Sequence, residues 1–218
     1  MEGISNMREY GLNHLKAIVI VHGKSEYQMC DFIKSKLRLN MHIEADKKGE
    51  KSIQINSVMN TLNNSIYKKY DSFIEKFPQV ELIDEEDNGK KKKGSKKKKI
   101  RKHIGNQFKI FIIMDTDDCN QIEREKFINK DMFKNHWAYE YIVPIYNDSN
   151  LEEVIEDCGI KFEKKGKEKK KEYIKIFPTD RKYVKKDSLQ VEEFDEKLRK
   201  CKKTNMEQFT TFCININK

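Results

Sequence analysis

Two short apolar runs stop abruptly in polar residues. Ala17-Ile18-Val19-Ile20-Val21 leads into His22-Gly23-Lys24-Ser25-Glu26, and Phe108 to Met114 leads into Asp115-Thr116-Asp117-Asp118. β-Branched runs without polar alternation read as strands buried on both faces, the pattern of parallel strands in an α/β sheet. In such sheets ligands and metals collect beyond the carboxyl ends of the strands. The two polar clusters therefore stand where a site belongs.

The rest of the chain fits an α/β alternation. Ser25-Glu26-Tyr27-Gln28 has the form of a capping box, and Met29, Phe32, Ile33 and Leu37 recur at helical spacing, predicting a helix to about Leu37. Met41 to Ala45 reads as a second strand, and Ser52 to Phe77 keeps helical spacing up to Pro78. Further on, a helix is expected from about Asn120, a strand over Tyr139 to Ile145, and a helix opened by Ser149-Asn150-Leu151-Glu152. Two amphipathic segments, Ser188 to Cys201 and Asn205 to Ile214, close the sequence. With 218 residues the reading is one Rossmannoid α/β domain over 1–178, about four parallel strands flanked by helices, with a helical C-terminal extension over 179–218.

The net charge of +9 is local, because Lys90 to Lys102 carries ten Lys or Arg and no acid. The remainder is close to neutral. This run lies in a low-complexity insert at about 85–107 that is expected to be disordered, and a second lysine-rich stretch covers Lys164 to Lys171, ahead of Tyr173 to Pro178. Such tracts can neutralise phosphates without reading sequence. They lack the aromatics that would stack bases, and solvated loops explain them equally well. Trp137, beside His136, reads as core. The five cysteines are scattered and form no C-x-x-C pair, which argues against a disulfide framework or a structural zinc site. No apolar stretch reaches the ~18 residues of a membrane span, and the start of the chain lacks the apolar core of a signal peptide. The expected setting is cytoplasmic, without a membrane partner.

In Asp115-Thr116-Asp117 an extended backbone would send both carboxylates to one side. Paired carboxylates with open positions suit Mg²⁺ or Mn²⁺. Asp118 adds a ligand, or caps the next helix through Asp118-x-x-Gln121. Gly23 would let backbone approach a phosphate, and Lys24 would supply a point charge. Glu26 can turn inward as a ligand or simply favour the helix dipole. Glu152 or Glu153 can complete an acidic cluster, with a capping role as the alternative for Glu152.

These residues resemble the TOPRIM domain of topoisomerases, bacterial primases and phage-defence nucleases. Its pattern is a strand, a Glu-Gly with a nearby acid, a helix, and a later strand ending in D-x-D. Val21 to Glu26 is similar to the first motif and Met114 to Asp117 to the second. Val143-Pro144-Ile145-Tyr146-Asn147 with Asn150-Leu151-Glu152 resembles a proline-and-acid motif of small RloB-like members. The chain departs at His22, where the family has its Glu; a neutral imidazole can ligate Mn²⁺ or move a proton.

The resemblance implies a metal-dependent nuclease acting on DNA or RNA in antiphage defence. Its metal ligands would be Glu26, Asp115, Asp117, Asp118 and Glu152, with His22 moving a proton. The implied partners are nucleic acid, a separate sensor or ATPase protein, and a second copy in a homodimer. The rival is a decayed TOPRIM module that only binds nucleic acid or a partner protein. A nucleotide phosphoryl-transfer enzyme would share the metal site, but no Walker or dinucleotide fingerprint is present.

Overall fold

A computed structural model describes residues 14–84, 102–160 and 188–217. In chain order the elements are β1 (Ala17–Val21), α1 (Lys24–Lys36), β2 (Met41–Glu44), α2 (Val58–Leu62), α3 (Tyr70–Lys76), β3 (Leu82–Asp84), β4 (Lys102–Ile104), β5 (Lys109–Asp115), α4 (Gln121–Ile128), β6 (Ile142–Asn147), α5 (Leu151–Asp157), α6 (Leu189–Leu198) and α7 (Glu207–Ile216). Short 3₁₀ turns cover Asp46–Gly49, Asp131–Phe133 and Tyr139–Tyr141.

Four strands form one parallel sheet in the order β2-β1-β5-β6. All five residues of β1 are buried, as the unbroken β-branched run requires for a strand covered on both faces. On one face Ala17, Val19, Val21, Phe111, Ile113 and Ile145 pack under α1, α5, α6 and α7. On the other, Ile18, Ile20, Ile110, Ile112 and Met114 pack under the 53–80 segment and α4. The architecture is the expected α/β sheet flanked by helices, with the two C-terminal helices following.

Those C-terminal helices share the core of the first face, and Phe209 and Phe212 of α7 stand 5.2 and 5.0 Å from the Phe111 ring. The segment before α7 also finishes the β6 edge. Asn205 accepts from Tyr146 N at 2.9 Å and donates to Pro144 O at 3.0 Å, taking up backbone groups that an edge strand would otherwise leave open.

Several boundaries differ from the sequence reading. The periodic stretch 52–77 is two short helices rather than one, because the Asn64 side chain accepts from Ile66 N and Tyr67 N and turns the chain locally. The end of the 85–107 insert is β4, paired with β3 and anchored by the buried Ile104. The strand expected from Tyr139 starts at Ile142 after a 3₁₀ turn and continues to Asn147. Gly23, not Ser25, precedes the first turn of α1. The lysine tract at 90–99 and the stretches 164–171 and 173–178 lie outside the described residues. Trp137 is partly buried among Tyr70, Phe73 and Tyr141, with its indole N–H given to Tyr67 O at 2.6 Å. All five cysteines are free thiols. Among the described residues, no helix is long and apolar enough to cross a membrane.

Candidate functional site

From β1 the chain passes to β2 on one side and later returns to β5 on the other. The sheet therefore has its topological switch point between β1 and β5, where a crevice opens at the carboxyl ends. The register pairs Val21 with Ile113, which sets the residues after β1 beside the end of β5.

His22 is held at three points. Its amide donates to Ile113 O at 2.9 Å, its carbonyl accepts from Ile53 N at 2.8 Å, and its Nδ1 lies 2.9 Å from Ile53 O. A carbonyl only accepts, so Nδ1 carries the proton. That leaves Nε2 facing Asp115 Oδ2 at 4.0 Å, just beyond hydrogen-bond reach. The ring is thus aimed at the carboxylate by a backbone clamp.

Asp115, the last residue of β5, is 7% exposed. Burial first, and the negative charge of Glu26 second, push its carboxyl from the ordinary 3.8 up to about 8, with Glu152 adding a smaller upward push. A hydrogen bond from Asn147 Nδ2 to Asp115 Oδ1 at 3.0 Å and the His22 ring oppose the rise. Glu26, in the first turn of α1, is 1% exposed, and its Oε2 accepts from Gly23 N at 2.9 Å. The inward-turned reading of Glu26 is the one observed. It also has a helix-capping bond, so the two readings coexist.

Glu152 is released from the capping role weighed for it. Asn150 caps α5 and accepts from Glu153 N at 3.0 Å, while Glu153 Oε1 receives Ser149 Oγ and Asn150 Nδ2. Glu152 instead receives the Ser25 hydroxyl at 3.3 Å, tying α5 to α1 beside Asp115. Likewise the cap of α4 is Asn120, which accepts from Glu123 N; Asp118 does not cap.

The two members of the D-x-D pair differ in burial, Asp115 being buried and Asp117 exposed. β5 ends at Asp115, and the amides of Thr116 and Asp117 both donate to Ser149 O at 3.1 Å. Asp117 is exposed; burial and then Asp118 raise its pKa, and His22 lowers it. His22 is thus the group that acts on both members of the pair. Asp118 is exposed and takes Gln54 Nε2 at 3.0 Å. Gly23 is buried and its N–H is engaged by Glu26, so this amide is not presented to a phosphate. Lys24 is exposed at the rim.

Asn147 carries a role that the sequence reading missed. Fully buried, it holds Asp115 on one side, while its Oδ1 lies 3.1 Å from the Thr204 hydroxyl. Thr204 Oγ1 also lies 2.7 Å from Tyr146 O. The contact with Asp115 arises from the register that pairs Asp115 with Asn147, and its place in the proline-and-acid motif is the sequence signal that points to it.

Among the described residues, no three His, Cys, Asp or Glu side chains stand close enough to hold an ion as placed. In chemistry the set still fits an oxygen-preferring divalent cation. Both acids, Glu26 and Asp115, are buried, the charge of Glu26 raises the cost of ionising Asp115, and a cation would relieve that cost. Scans against protein-family models, curated proteins and solved structures found no match to this chain.

Proposed function

We propose that the protein is a divalent-metal-dependent phosphodiesterase acting on nucleic acid. The observation that carries this reading is the buried pair Asp115 and Glu26 beside the clamped His22 at the switch point of the sheet. Mg²⁺ or Mn²⁺ held by Glu26 and Asp115, with Glu152 at the edge, would stabilise the charge that develops on the scissile phosphate. His22 Nε2 is the group placed to take or give a proton, since Ile53 O fixes the Nδ1–H tautomer. Asn147 positions Asp115, and Asp117 shares the field of His22. Lys24 supplies a cation for a phosphate oxygen.

The TOPRIM resemblance adds a setting, antiphage defence. The partners that go with it are DNA or RNA, a sensor or ATPase protein, and a second copy of the chain. That setting rests on the motifs alone. A second reading, a module that binds without cleaving, is favoured by one observation: the acids do not stand as a closed ligand set. The test is cleavage of labelled DNA and RNA with Mg²⁺ or Mn²⁺ by the unaltered protein and by Asp115→Ala/Glu26→Gln. Loss of cleavage in the variant supports the enzyme. Equal metal-dependent cleavage by both removes it.

A further inference from the structure

The turn after β2 strings together three left-handed residues, Lys47 (φ 47°), Lys48 (φ 56°) and Gly49 (φ 83°). Gly49 has a packing reason to be there. A Cβ at that position would stand 2.7 Å from backbone atoms of Gly23 and Lys24, so the turn lies directly against the start of α1. Lys47 and Lys48 have no such reason. Both are exposed, and a left-handed lysine is strained where glycine is not. Lys130 is also left-handed, but its ammonium sits 4.4 Å over the Tyr139 ring, which accounts for its side chain. Among the described residues, no ion pair holds the ammonium of Lys47 or Lys48.

The turn is also joined to the candidate site. From it the chain runs to Ile53, which clamps His22, while Gly49 covers the backbone of Lys24. Lys24, Lys47, Lys48 and Lys51 are all exposed here; the exposed acids are Asp46 and Glu50 in the turn and Asp117 and Asp118 after β5. The turn thus brings Lys47, Lys48 and Lys51 to the carboxyl end of the sheet, outside the buried carboxylates.

We propose that Lys47 and Lys48, together with Lys24, form a binding edge for the phosphodiester backbone of a nucleic acid at the mouth of the site. The ligand class rests on the proposed function. Lysines on long stems hold phosphates as point charges and carry no base information. Binding at this edge is therefore independent of sequence and falls with salt in proportion to the phosphates contacted.

The test uses the full chain, a short labelled DNA duplex, and no divalent metal. Lys47→Gly/Lys48→Gly removes two charges while suiting the left-handed backbone, so the thermal midpoint is expected not to fall. The slope of log affinity against log salt is expected to shrink by about 1 per lysine. Lys68→Ala/Lys69→Ala removes the same charge from exposed positions between α2 and α3 and is expected to leave the slope in place. An unchanged slope in the glycine variant, an equal change in the control, or no duplex binding by the unaltered protein overturns the proposal. Without metal, cleavage plays no part. A protein that cleaves but keeps its slope loses this edge and keeps the enzyme reading, and the converse result does the reverse.

Discussion

Asp115→Asn is expected to stabilise the protein, and to do so only at pH values where burial of Asp115 is costly. The folded carboxyl is raised to about 8 against an ordinary 3.8, so the folded state favours the neutral form. For a raised carboxyl the penalty is absent below the unfolded pKa, grows as pH rises toward the folded value, and is constant above it. At about pH 7 the group stays protonated in the fold at a cost of roughly 4 kcal/mol, from ~1.4 kcal/mol per pKa unit over about three units. Asparagine has no such titration and can accept the same bond from Asn147 Nδ2. Urea unfolding of both proteins should show the variant more stable by up to about 4 kcal/mol near neutral pH, the gap closing toward about pH 4. A variant that is less stable at neutral pH, or a gap that does not change with pH, would refute the claim that burial and Glu26 strain this carboxyl.

Other perturbations follow from the packing. Asn147→Ala leaves the buried Asp115 Oδ1 without its donor and should cost about 1–3 kcal/mol, measured by chemical denaturation; a neutral substitution would mean that Asn147 does not position Asp115. Gly49→Ala meets both the positive φ and the backbone of Gly23 and Lys24 at 2.7 Å, so a loss of about 2 kcal/mol or more is expected, visible as a lower thermal midpoint. Phe209→Ala removes a fully buried ring packed on Phe111 and should cost about 3–5 kcal/mol. An effect below about 1 kcal/mol would show that α7 is dispensable to the core.

The parts of the fold that are legible in the sequence are those written in local pattern. In β1 five apolar residues in a row leave no exposed face to assign, and the end of β5 is marked by Asp115. What is not legible depends on neighbours distant in the chain. Ser149 O, for example, takes the amides of Thr116 and Asp117 just past the end of β5. Caps shift by one or two positions wherever several Ser, Asn or Asp residues stand together, since any of them can satisfy a first-turn amide. Asn120 takes the cap from Asp118, and Asn150 takes it from Ser149. The contribution of Asn147 needs the β5 to β6 register, and the clamp of His22 by Ile53 spans 31 positions, beyond the reach of any periodicity.

On the proposed reading Asp115 and Glu26 share a cation. The most direct measurement is a Mn²⁺ titration followed by thermal shift, on the unaltered protein and on Asp115→Asn. A shared cation predicts a saturable rise in the midpoint for the unaltered protein that the variant lacks. No rise in either, or the same rise in both, would contradict it.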